Sequence, residues 1–159
     1  PPDTTVMLNV RMRAIDAQVL NPVEVTGQRM SARLLRDGFY DRLEKGMGQY
    51  LSPDKVADLA GRVQQTSQML RSMNGVVVRC PAVGPCIVRG SEGRGPGTGC
   101  LTLWVDGMKR RDVLLDELVS PNYAYAIEVY SRRSQVPQEF VDPLSRCGAI
   151  VVWTQSRAP

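Results

Sequence analysis

The stretch 124–155 restricts the fold more than any other. Ala-Tyr-Ala-Ile-Glu-Val-Tyr at 124–130 and Cys-Gly-Ala-Ile-Val-Val-Trp-Thr at 147–154 are strongly β-prone, and a Pro-containing connection, Val-Pro-Gln-Glu-Phe at 136–140, lies between them. Ile150, Val151, Val152 and Trp153 form an apolar run too short for an ordinary helix. It reads as a strand buried on both faces of a sheet. The upstream chain must supply that strand with neighbours and a cover.

Those neighbours can be read in order. Val6, Leu8, Val10 and Met12 alternate with Asn9, Arg11 and Arg13, a half-buried strand pattern that Asn21-Pro22 breaks. A short extended run, Val23-Glu24-Val25-Thr26, ends at Gly27. Residues 28–37 suit a helix, with Met30, Leu34 and Leu35 on one side and Gly38 as its stop. Residues 39–51, punctuated by Gly46 and Gly48, read as irregular or extended. Ser52-Pro53-Asp54 starts a helix: serine caps, proline suits the first helical position and aspartate complements the dipole. Val56, Leu59 and Ala60 face inward and Gly61 ends it. Thr66-Ser67 opens a second helix with Met69, Leu70 and Met73 inward, and Val76-Val77-Val78 is a strand.

Five glycines in residues 90–99 read as a surface loop, because neither phosphate-loop glycine pattern is present. Residues 101–105 are a strand, Asp106-Gly107 a tight turn, and Asp112 caps a short helix through Leu118. The order predicts an α+β fold, one small mixed sheet covered by short helices. Residues 1–27 form an N-terminal strand and extended junction, and residues 28–159 the domain proper.

At 159 residues the chain is long enough for one real core. It has no histidine, which removes the commonest general base, the Ser-His and Cys-His nucleophile pairs and the commonest zinc ligand. The carboxylate pairs Asp116-Glu117 and Asp41/Glu44 read as helix-surface charge; Asp106 and Glu128 are the carboxylates to test for chemistry, with no loss of turnover expected. The reading is of a non-enzyme with no cofactor and no metal. Net charge is +4, with small clusters at Lys109-Arg110-Arg111 and Arg132-Arg133. No aromatics interleave with them, which argues against nucleic acid. Arg110, Arg111, Arg132 and Arg133 are candidate contacts to acidic partner surfaces or lipid headgroups, with solvated turns as the plain alternative.

Cys80, Cys86, Cys100 and Cys147 allow three pairings. Their spacing disfavours a zinc site. Cys80 and Cys86 sit among Pro81, Gly84 and Pro85, where a local bridge is useful; Cys100–Cys147 is the expected long-range staple, worth about 4 kcal/mol in the chain-entropy picture. Reduced, buried thiols are the alternative. Disulfides imply an oxidising compartment such as a periplasm.

Five short motifs over residues 66–155 share one order and spacing: Met69-Leu70-Arg71-Ser72-Met73-Asn74-Gly75-Val76-Val77-Val78, Ile87-Val88-Arg89-Gly90, Trp104-Val105-Asp106-Gly107-Met108, Ala126-Ile127-Glu128-Val129-Tyr130, and Cys147-Gly148-Ala149-Ile150-Val151-Val152-Trp153-Thr154. Together they resemble the plug domain of TonB-dependent receptors, most closely a sub-type with a cysteine before the Asp-Gly strand and a Cys-Gly start to the closing strand. The resemblance implies a domain that occludes an outer-membrane pore, presents apical loops (81–85 and 90–99) to a ligand, and takes force through its N-terminus. It makes residues 3–20 a remnant of a preceding β-domain. Residues 23–27, with Val23 and Val25, become the junction that pairs with TonB by strand addition; an ordinary strand and turn is the alternative. Ser131-Arg132-Arg133 departs from the family's Arg-Gly-Pro turn.

A plug fills a β-barrel far larger than this chain. Hence the second expectation: an extrinsic periplasmic subunit that reuses the plug fold and docks on a large membrane assembly, such as a photosynthetic or respiratory complex. The start at Pro1-Pro2-Asp3 and the stop soon after the last strand favour it. Either way the expected partner is a protein in or at a membrane of a Gram-negative type envelope, and the location periplasmic.

Overall fold

A computed structural model describes residues 30–91 and 101–155. The proposed N-terminal strand, the junction with Val23 and Val25, Cys100 and most of the glycine-rich loop lie outside the described residues. The fold is α+β. α1 (Ala32–Arg36) and α2 (Phe39–Lys45) lead into β1 (Gln49–Leu51), α3 (Pro53–Ala60) and a 3₁₀ segment, Thr66–Ser72. β2 (Val76–Arg79) and β3 (Ile87–Gly90) follow, then β4 (Thr102–Val105), β5 (Met108–Arg110), α4 (Leu115–Leu118), β6 (Ala124–Tyr130) and β7 (Ala149–Thr154).

Five strands form one sheet in the order β1-β6-β7-β4-β5, and β2-β3 form a separate antiparallel pair. β7 runs antiparallel to β6 and parallel to β4, with Ile150 beside both Val129 and Leu103. As the apolar run demands, Ala149, Ile150, Val151, Val152 and Trp153 are all buried. The strand period of two divides them. Ile150 and Val152 join Ile127, Val129, Leu103 and Val105 in a large core against α3, the 3₁₀ segment and the β2-β3 pair. Ala149, Val151 and Trp153 join Ala126, Tyr130, Leu34, Phe39 and Phe140 in a second core on the opposite face.

The helix start at Ser52-Pro53-Asp54 is borne out in position, with Ser52 extended at the N-cap, Pro53 opening α3 and Asp54 in its first turn, but the Ser52 side chain makes no capping hydrogen bond. Asp106 and Gly107 both have positive φ, 51° and 76°, the mirror-image turn that closes the β4-β5 hairpin. Three readings need correction. Residues 39–51 are not irregular; they hold α2, bracketed by Gly38 and Gly46, and β1. The inward positions of α2 are Phe39 and Arg42, and an arginine facing inward hides the apolar stripe. Asp112 does not cap a helix. It takes φ 56° in a turn, and the helix starts three residues later, where the Glu117 side chain accepts the Leu114 N–H. In α1 only Leu34 is buried; Met30 and Leu35 are exposed.

Candidate functional site

The most unusual chemistry lies under α2. Glu128 sits mid-strand in β6 with 0% exposure, and a carboxylate there requires partners. It has four donors. Arg42 Nε and Nη2 donate to Oε2 and Oε1 at 2.9 and 2.7 Å, the Tyr130 hydroxyl donates to Oε2 at 2.5 Å, and Trp153 Nε1 donates to Oε1 at 2.6 Å. The third guanidinium nitrogen, Nη1, reaches the Asp37 carbonyl and the Glu139 carboxylate. The Arg42 guanidinium also lies 5.1 Å from the Phe140 ring centre and 5.7 Å from the Trp153 ring centre. One arginine thus joins α2, the central sheet and the 3₁₀ turn Gln138–Phe140.

Burial opposes the Arg42 charge, but Glu128 and then Glu139 outweigh it and hold the guanidinium above its ordinary value. Burial, then the Glu128 charge, pushes the Tyr130 phenol well above its ordinary value; burial raises Tyr50 as well. Both phenols therefore stay neutral where a free tyrosine ionises. A group that keeps its proton only in the fold contributes stability below its unfolded pKa, near 10, and loses it as pH rises further. Denaturant melts between pH 8 and 11 are expected to show stability flat to about pH 10 and falling above it. Tyr130→Phe is expected to flatten that fall; an unchanged slope would show that the phenol does not set it.

Asp106 does more than turn the chain. Its Oδ1 accepts from Thr154 N–H at 2.9 Å and from Arg33 Nη2 at 2.8 Å, and its Oδ2 accepts from the Thr154 hydroxyl at 2.6 Å. Arg33 also donates to the Thr154 carbonyl at 3.0 Å, so α1 is fastened to the end of β7. Asp116 corrects the reading of surface charge. It accepts from the Ser67 N–H and hydroxyl at 2.8 and 2.6 Å and from the Cys86 N–H at 3.1 Å. Beside it, Gln64, Gln65, Thr66, Pro85, Val119 and Pro121 line a cavity of about 300 Å³, the low end for ligand pockets. Two of its polar side chains already have partners within the chain: Thr66 donates to the Val119 carbonyl, and Gln65 spans Gly84 and Cys86.

Cys80 and Cys86 form a disulfide at the base of the 81–85 loop. Cys147 is also a half-cystine; the pairing expected for it involves Cys100, outside the described residues. Among the described residues no cluster of cysteines and carboxylates could hold a metal, and no helix is long and apolar enough to cross a membrane.

The two basic clusters, some twenty residues apart in sequence, meet at the 142–146 loop. Lys109 pairs with the Asp142 carboxylate, Arg111 acts on the same group through its charge, and Arg133 Nη1 donates to the Ser145 carbonyl at 2.6 Å. The Lys109 hydrogen bond, with one from the Leu144 N–H, holds Asp142 below the usual carboxylate range. Arg132 is exposed beside Arg133. Arg110 is not brought to this loop. It pairs with Leu103 on the large-core face, and its Nε is buried without a hydrogen-bond partner.

Sequence reasoning missed Arg42, Glu139 and Asp142 and misread Asp116 as surface charge. One signal was available: a glutamate inside an otherwise apolar strand calls for a buried cation. No protein-family model matches the chain, and no curated protein matches it.

Proposed function

We propose that the chain is a non-enzymatic, plug-like binding domain of the bacterial periplasm or outer membrane, which presents loops from a rigid sheet and contacts a TonB-type protein through residues 23–27. One observation carries the non-catalytic half. Asp106 and Glu128, the carboxylates singled out for chemistry, have each of their oxygens committed to hydrogen bonds inside the fold. A binding module needs no perturbed acid or base, only a scaffold that holds loops. The Cys80–Cys86 bridge fits an extracytoplasmic protein. The plug half rests on the five motifs. The hairpin at Asp106-Gly107 stands next to β7, the strand that carries the last motif.

A second reading, an extrinsic subunit docked on a large membrane complex, is favoured by the meeting of Arg111 and Arg133 at one loop, with exposed Arg132 beside Arg133 in the chain. Purification of the native protein from its source membranes, with mass spectrometry of what travels with it, separates the two. Co-migration with an outer-membrane barrel, or as part of one long polypeptide, supports the plug. Fixed stoichiometry with an inner-membrane complex supports the extrinsic subunit. A chain that travels alone sinks both.

A further inference from the structure

The 142–146 loop combines an exposed apolar tip with surrounding positive charge. Leu144 is 82% exposed, and Pro143 beside it is exposed as well. Arg133 donates to the Ser145 carbonyl, Arg111 acts on the Asp142 carboxylate, Arg146 lies within the loop and Arg132 precedes Arg133 in the chain; all four are exposed. The acids near these cations are Asp142, which is paired with Lys109, Glu139, which is paired with Arg42, and the exposed Asp112 next to Arg111 in the chain. The surface therefore carries an excess of positive charge with an apolar point in its midst.

Several of the loop's backbone groups are satisfied from within. Leu144 N–H donates to the Asp142 carboxylate at 3.1 Å, Ser145 N–H to the Asp142 carbonyl at 3.0 Å, and the Ser145 carbonyl accepts from Arg133. Cys147 N–H donates to the Ser145 hydroxyl at 3.2 Å. These groups can enter a medium poor in water without being stranded there.

We propose that this loop is a contact surface for an anionic lipid leaflet: Leu144 enters the acyl boundary, and Arg111, Arg132, Arg133 and Arg146 meet the headgroup phosphates. An acidic protein face would need a matching pocket for Leu144, and a free phosphate ion would make no use of it. A lipid interface takes both the charge and the apolar tip. The inference rests on the extrinsic-subunit reading and assigns the basic loop that favours it to the lipid surface around the membrane complex.

The test is flotation of the full oxidised chain with vesicles of phosphatidylcholine, alone or mixed with phosphatidylglycerol. Binding is expected to the mixed vesicles only, and to disappear in high salt. Arg132→Gln/Arg133→Gln is expected to weaken it roughly tenfold or more, and Leu144→Asp by roughly tenfold. Arg36→Gln/Arg79→Gln, equal in charge but outside the loop, is expected to leave it unchanged. Because Arg133 also holds the loop, Arg146→Gln provides a charge variant with no such bond at stake.

Four results would overturn the proposal: no binding to the mixed vesicles, equal loss in the charge-matched control, full binding by Leu144→Asp, or displacement by inorganic phosphate at constant ionic strength. The last would assign the arginines to a phosphate-ion site. Failure here leaves the co-purification result standing, so the lipid contact and the extrinsic reading fail separately.

Discussion

Replacing Arg42 with methionine is expected to destabilise the domain by about 3–5 kcal/mol, the usual effect of removing one partner of a buried ion pair. The arithmetic is set by what stays behind. Glu128 has 0% exposure, and without Arg42 its charge keeps only the Tyr130 and Trp153 donors. Glu128→Gln leaves the opposite imbalance, a covered guanidinium with only the half-exposed Glu139 to balance it. Its cost is expected to be somewhat smaller. The double variant, Arg42→Met with Glu128→Gln, is expected to recover much of the loss, because neither charge is then stranded. Urea denaturation of the four proteins, read as a double-mutant cycle, measures this coupling directly. Strict additivity would mean that the pair is not a unit and that α2 is held by its apolar contacts alone.

Gly148→Ala is expected to give no folded protein. A Cβ at this position would lie 1.6 Å from the Tyr130 carbonyl oxygen and 2.6 Å from its carbon. These are backbone atoms of β6, a central strand, so no side chain can swing aside. Relief would require separating β6 from β7 where they pair at Tyr130 and Ala149. Gly46 is the informative contrast. Nothing lies within 4 Å of its Cβ position, but its φ of +64° is left-handed. Gly46→Ala should fold and lose only about 1 kcal/mol. Soluble yield and thermal melting of the two variants decide the matter, and a cooperative melt from Gly148→Ala near the wild-type temperature would refute the close approach.

The parts of the fold that were legible in the sequence are those where local signals and tertiary context agree. β7 announced itself by the apolar run Ile150-Val151-Val152-Trp153, α3 by serine, proline and aspartate at its start, and the β4-β5 hairpin by Asp106-Gly107. Where side chains act against type, the reading failed. Arg42 occupies the position where a periodicity argument expects an apolar residue, so α2 was missed. Asp116 looks like surface charge because its partners, Ser67 and Cys86, are remote in sequence. The basic loop was legible only as two separate clusters. What joins them is the 142–146 segment, and no local propensity states that Lys109 and Arg133 will reach the same five residues.

The position of β7 has a consequence for the order in which the molecule can be made. It is the last of the described strands in the chain, yet it lies in the middle of the sheet, between β6 and β4. Until it arrives, β6 and β4 each present a bare edge, and the large core and the second core both lack their central wall. A growing or translocating chain therefore cannot close early on its N-terminal half. It must stay open, with adhesive strand edges, until residues 149–154 have emerged. That places an interval of vulnerability to proteases and to aggregation before residues 149–154 emerge, and it makes long-range closure rather than local helix formation the slow event in folding.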